Sequence, residues 1–105
     1  MVFIETRLFT NLFPDYLNDD QYRELQTYLI KQPDAGDLIQ GTGGLRKLRW
    51  SIDNKGKRGG IRLIYYWQVK NKQIYLMTIY AKNELTDLSA SEKKILKNLI
   101  DRWSI

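Results

Sequence analysis

The sequence predicts an α+β fold: a small, mainly antiparallel sheet with N-terminal helices and a C-terminal helix packed on it. Three observations carry that expectation. Leu45–Ile52, Ile61–Val69 and Gln73–Ala81 are rich in aromatic and branched residues and follow one another across short connections, as in a meander of three strands. A capped helical segment precedes them, and a second capped, amphipathic segment follows. With 105 residues and no linker, repeat or low-complexity tract, the chain has material for one modest core, so residues 1–105 read as a single domain.

The elements are justified in order. Val2–Phe9 alternates weakly and reads as a short first strand. Phe13, Pro14 and Asp15 read as a turn into a short helix, with proline near its first position. Asn18 is a helix N-cap with Gln21 as its capping partner; Tyr22, Leu25 and Leu29 follow at helical spacing. Gln32 and Pro33 stop this helix near Lys31. Asp34–Gly44 is polar and glycine-rich, with a short apolar run at Leu38 and Ile39. Its glycines at 41, 43 and 44 lack the spacing and the Lys-Ser/Thr pair of a phosphate loop, and they precede a strand, so they read as a turn into the sheet. Lys70, Asn71 and Lys72 make a tight hairpin turn, and Asn54–Arg62 joins the first two strands of the meander. Ser89 and Glu92 form a capping box. After it Ile95, Leu96, Leu99, Ile100 and Trp103 mark one face of a C-terminal helix, as core or as a partner interface.

Composition removes several functions. No apolar run approaches the roughly 20 residues that cross a bilayer. The start of the chain has no basic region followed by an apolar one, so no signal peptide is expected and the expected compartment is the cytoplasm. The absence of cysteine excludes a disulfide scaffold and a thiolate metal site. The absence of histidine removes the commonest general base and the commonest metal ligand. Asp19, Asp20, Asp34 and Asp37 lie at caps and turns without ligand spacing, so neither a metal nor another cofactor is expected.

Charge is concentrated. Residues 46–62 hold Arg46, Lys47, Arg49, Lys55, Lys57, Arg58 and Arg62 against Asp53, which makes this segment +6 in a chain of net +5. Two readings of this block stand: an electrostatic footprint for a polyanion, or a well-solvated hairpin. The period of two along a strand puts Arg62, Ile64 and Tyr66 on one face and Ile61, Leu63, Tyr65 and Trp67 on the other. In the next strand Tyr75, Met77, Ile79 and Ala81 alternate with Ile74, Leu76, Thr78, Tyr80 and Lys82. The end of that strand lies beside the start of the preceding one. Arg62, Tyr80 and Lys82 therefore converge if the register puts them on one face, with Lys57 and Arg58 overhanging them. Guanidinium forks bind phosphate oxygens in pairs, ammonium groups shift pKa when crowded by cations, and tyrosine offers a stacking surface or a hydroxyl. The alternative is a rim of solvated cations with Tyr80 as half-buried packing.

GDLIQGTGGLRKLRW, GKRGGIRLIYY and IYLMTIYAKNELTDLS, which span Gly36 to Ser89, together resemble the RelE/ParE superfamily of bacterial type II toxins, and within it the HigB-like branch. The resemblance follows the element order over almost the whole chain. It implies a small cytoplasmic endoribonuclease, an mRNA interferase that enters the ribosomal A site and cuts translated mRNA without a metal. In such enzymes the ribose 2′-OH attacks the adjacent phosphate and leaves a 2′,3′-cyclic phosphate, and growth stops. It also implies a cognate helix-turn-helix antitoxin of the HigA type, whose complex with the toxin binds operator DNA.

Carried onto this chain, the resemblance makes Arg62 the holder of the scissile phosphate and Lys82 the residue for acid–base work or charge stabilisation. Lys57 joins them as a catalytic candidate, with Tyr80 and Glu84 as weaker transfers. Lys47, Arg49, Lys55, Arg58 and Arg46 become contacts to RNA and ribosome. The chain departs from some members in having no active-site histidine, so proton transfer falls to Lys82, Glu84 or groups lent by the ribosome. Two further readings use the same fold: a non-enzymatic inhibitor of DNA gyrase like ParE, and a simple RNA-binding module.

Overall fold

The computed structural model describes residues 1–51, 60–82, 84 and 88–103, and the side chain of Trp103 is outside it. Lys55, Lys57 and Arg58 lie outside the described residues, as does the Asn54–Gly59 part of the basic connection. The elements run β1 (Val2–Glu5), α1 (Arg7–Leu12), a 3-10 turn (Phe13–Asp15), α2 (Asp19–Lys31), β2 (Asp37–Leu38), β3 (Leu45–Trp50), β4 (Ile61–Gln68), β5 (Gln73–Ala81) and α3 (Ala90–Trp103). The fold is α+β, as the sequence predicts. The strand order is β1-β5-β4-β3-β2; β1 runs parallel to β5, and the other neighbours are antiparallel.

The sheet has a core on each face. On one, Leu48, Ile61, Leu63, Tyr65, Ile74, Leu76 and Ile79 meet Phe9, Leu17, Leu25 and Leu29 from the N-terminal helical region. On the other, Leu45, Ile64, Tyr75, Met77 and Tyr80 meet Leu88, Leu96 and Ile100. A central strand covered on both sides reads as a continuous apolar run, and every residue from Ile61 to Tyr65 is buried. Arg62 is the charged residue in that run.

Local chemistry sets the boundaries. Asn18 and Gln21 close a reciprocal capping box at α2, with bonds of 2.8 and 2.9 Å. Ser89 and Glu92 do the same for α3 at 2.9 and 3.1 Å. Gly44 has a φ of +124°, and a Cβ there would stand 2.9 Å from Tyr66 Cε1, so this position requires glycine to turn the chain into β3. That agrees with the turn expected of the glycines at 41–44. On α3, Leu96 and Ile100 are buried, whereas Ile95 is 59% exposed and does not belong to the core stripe.

Two expectations are corrected. The first strand ends at Glu5, not Phe9. Thr6 is the reason: its Oγ1 accepts the Phe9 amide at 3.0 Å and caps α1, which turns Phe9 into the core. The second concerns β5, where strict alternation fails. Ile64 pairs with Thr78 but Tyr65 pairs with Leu76, so Met77 is an extra residue, a β-bulge. Tyr75 and Met77 consequently share a face with Tyr80, while Ile79 joins Ile74 and Leu76 on the other.

Thr6 also serves the bulge. Its hydroxyl donates to the Met77 carbonyl at 2.7 Å, and its amide donates to the Leu76 carbonyl at 3.1 Å. One side chain thus caps a helix and satisfies a bulged carbonyl. Thr6→Val keeps the shape and removes both bonds; a loss of about 1–3 kcal/mol is expected. Urea denaturation measures it, and an unchanged midpoint would contradict this role.

Candidate active site

The register brings four of the predicted cations, Lys47, Arg49, Arg62 and Lys82, together at one end of the α3 face. Arg49, Arg62 and Tyr80 stand in one row across β3, β4 and β5, because Arg49 pairs with Arg62 and Arg62 with Tyr80. Lys47, opposite Ile64, lies one step along the same face. Lys82 lies one step the other way, docked by its amide on the Gly60 carbonyl at 3.2 Å. Opposed residues in such ladders have Cβ atoms about 4.5–5.5 Å apart, and like charges directly opposite destabilise a sheet. Arg49 over Arg62 is such a pair.

Arg62 is only 9% exposed, and its Nη1 donates to the Ile61 carbonyl at 3.3 Å. Among the described residues no carboxylate forms an ion pair with it. A buried charge without a counter-ion is costly, and an incoming anion relieves that cost. Gly60 lies against the guanidinium: a Cβ there would stand 3.5 Å from Arg62 Nη1, at ordinary contact distance.

Four site residues behave differently from expectation or were not foreseen. Tyr80 is 6% exposed and sits in the α3 core, so its ring is packing and not an open stacking surface. Arg46 follows the parity of Leu48 and Trp50 onto the opposite face. There it donates to the carbonyls of Asp34 and Gly36 at 3.2 and 2.8 Å, beside a Tyr65 hydroxyl bonded to Gly36 and Pro33. Arg46 therefore braces the loop after α2 and does not join the cationic cluster. Lys93, from the first half of α3, lines a groove of about 490 Å³ with Lys47, Arg49 and Asp37. Sequence spacing could not place Lys93 there, because the crossing of helix and sheet decides it. A larger hollow of about 620 Å³ lies over α2 and Trp50, but its Asp20 and Glu24 balance Arg23 and Lys31 and give it no pull on an anion.

The fourth is Tyr16, just after the 3-10 turn. Its hydroxyl donates to Glu84 Oε1, the same oxygen that accepts the Ala81 amide at 3.1 Å. The hydrogen bond to Glu84, then burial, push the Tyr16 phenol up to about 12. The same bond, then the Ala81 amide, hold the Glu84 carboxyl below its usual range. The signs agree: the contact is complete between the two titrations, weakens as Glu84 protonates in acid, and weakens as Tyr16 ionises in strong base. Carbon-13 NMR of labelled tyrosine should therefore find Tyr16 titrating near 12, returning toward 10 in Glu84→Ala. A Tyr16 titration unchanged by that substitution would contradict the contact.

Comparison with known proteins agrees with this architecture. Residues 24–104 match the family profile described as the RelE toxin of the RelE/RelB toxin-antitoxin system. A double arginine-to-alanine mutant of the E. coli toxin RelE, solved in its free state, superposes with a TM-score of 0.60 at 13% identity, over 90% of this chain and 94% of that one. A chain of the intact E. coli RelBE toxin-antitoxin complex superposes at 0.55 with 12% identity, over 74% of this chain and 92% of that one. At such identities the structures share the fold. Among the described residues, no helix is long and apolar enough to cross a membrane.

Proposed function

Because the chain belongs to the RelE toxin family, we propose that it is the toxin of a type II toxin-antitoxin pair and acts as a ribosome-dependent mRNA endonuclease of the HigB-like kind. The observation that carries this reading is the row formed by Arg49 and the nearly buried Arg62, with Lys82 beside it. A phosphorane is more negatively charged than the phosphodiester it forms from, so fixed cations stabilise the transition state more than the ground state.

In this reading Arg62 grips the scissile phosphate. The 2′ oxygen bonds to phosphorus, the bond from phosphorus to the 5′ oxygen breaks, and the 2′ proton passes to a base. A second proton reaches the departing 5′ oxygen, which leaves a 2′,3′-cyclic phosphate and a 5′ hydroxyl. Lys82 carries one of these protons or opposes the developing charge. Arg49, Lys47 and Lys93 bind flanking phosphates along the groove beside α3, and Lys55, Lys57 and Arg58 extend the grip from the connection. With no histidine in the chain, the free protein is a poor catalyst and the ribosome completes the site. A helix-turn-helix antitoxin restrains it, and the pair binds its operator.

The test is induction of wild-type, Arg62→Ala and Lys82→Ala proteins with mapping of mRNA 5′ ends. Wild type should cut translated messages. Arg62→Ala should lose at least about 10²-fold in cleavage rate, and Lys82→Ala about 10²–10⁴-fold. Cleavage that survives both substitutions would overturn the site. Growth arrest with intact mRNA and a DNA-damage response would overturn the reaction in favour of gyrase inhibition.

A further inference from the structure

We propose that Tyr16 is a positioning residue: through the Glu84 carboxylate it holds the turn that carries Lys82 against the end of β4. The inference rests on the nuclease reading and deepens it.

Lys82 has an exposed side chain on a turn, so its placement depends on how firmly its backbone is fixed. Two restraints act. On one side the Lys82 amide docks on the Gly60 carbonyl at 3.2 Å. On the other, the turn closes on itself: the Glu84 amide donates to the Ala81 carbonyl at 3.0 Å, and the Ala81 amide donates to Glu84 Oε1 at 3.1 Å. Tyr16 adds an anchor from a distant element, 68 residues away in sequence. That anchor is itself fixed, because the Tyr16 and Leu17 amides both donate to the Phe13 carbonyl at 2.9 Å and Leu17 is buried in the first core. The chain of contacts therefore runs from the packed N-terminal region, through one carboxylate oxygen, to the residue beside Arg62.

This assignment removes Glu84 from the pool of proton acceptors. An oxygen that already accepts two donors, on a carboxyl held below its usual range, is a weak base at neutral pH. Both bonds end on Oε1, so the amide oxygen of a glutamine can accept both, though more weakly than the carboxylate. A base cannot be replaced in that way.

The experiment compares wild type, Tyr16→Phe, Glu84→Gln, Glu84→Ala and the double variant Tyr16→Phe/Glu84→Ala in single-turnover mRNA cleavage on programmed ribosomes. Tyr16→Phe and Glu84→Ala should each slow the cleavage step by up to about 10²-fold at unchanged ribosome affinity, the size expected of a displaced catalytic group. The double variant should be no slower than Glu84→Ala. Glu84→Gln should cleave far closer to wild type than Glu84→Ala does and keep the wild-type pH profile. Glu84→Gln as slow as Glu84→Ala, or Tyr16→Phe at the wild-type rate, overturns the proposal.

Amide hydrogen exchange separates this from failure of the nuclease reading. Tyr16→Phe should speed exchange at Ala81 and Lys82 whether or not the protein cuts RNA, while the amides of β3 and β4 stay protected. Unchanged exchange at Ala81 and Lys82 removes the restraint itself. Absence of cleavage in wild type, with faster exchange in Tyr16→Phe, removes the reaction and keeps the restraint.

Discussion

A guanidinium held at 9% exposure on the central strand is the constraint around which this molecule is arranged. β4 is covered on both faces, and four of its first five residues are apolar, so an arginine at position 62 works against the packing that stabilises the strand. Arg49 directly opposite adds like-charge repulsion. Neither choice serves stability. Among the described residues no carboxylate pairs with Arg62, and the phosphate of the proposed RNA substrate would supply that charge.

The β-bulge at Met77 reconciles that site with the core. Without it, strict alternation would put Ile74 and Leu76 on the same face as Tyr80 and Lys82. The extra residue lets Ile74, Leu76 and Ile79 fill the first core while Tyr80 and Lys82 share the face of Arg62. Thr6 secures the bulge by donating to its carbonyl, and Tyr16 secures the turn that follows. Both come from the first 16 residues, so the N-terminal region positions the far end of β5 as well as covering the sheet.

Much of this was legible in the sequence, for reasons that differ by element. Caps at Asn18 and Ser89 are local chemistry, and the helices start where those residues say. β4 and β5 follow from aromatic and branched runs, but the pairing of Arg62 with Tyr80 depends on the bulge at Met77. Non-local events were hidden. Nothing near Met77 announces a bulge, because its carbonyl is satisfied by a threonine 71 residues away. The short β2, only Asp37–Leu38, pairs through Asp37 and Leu38 with Lys47 and Arg46, and its composition gave no strand signal. Arg46 looked like its cationic neighbours, yet one step of strand parity sends it to the opposite face. Lys93 and Tyr16 joined the site through helix packing and a side-chain bond, which periodicity cannot express.

The family supplies the toxin fold, and the chemistry proposed for it depends on whether an RNA phosphate seats between Arg62 and Lys82. The most direct measurement is a structure of the protein on a ribosome programmed with mRNA carrying 2′-O-methyl groups at the A-site codon, which blocks the attacking oxygen. The account predicts a backbone phosphate in contact with the Arg62 guanidinium, the Lys82 ammonium on the same phosphate or its neighbour, and flanking phosphates along Arg49, Lys47 and Lys93. A message held elsewhere on the surface, with Arg62 still bonded only within its own sheet, would contradict it.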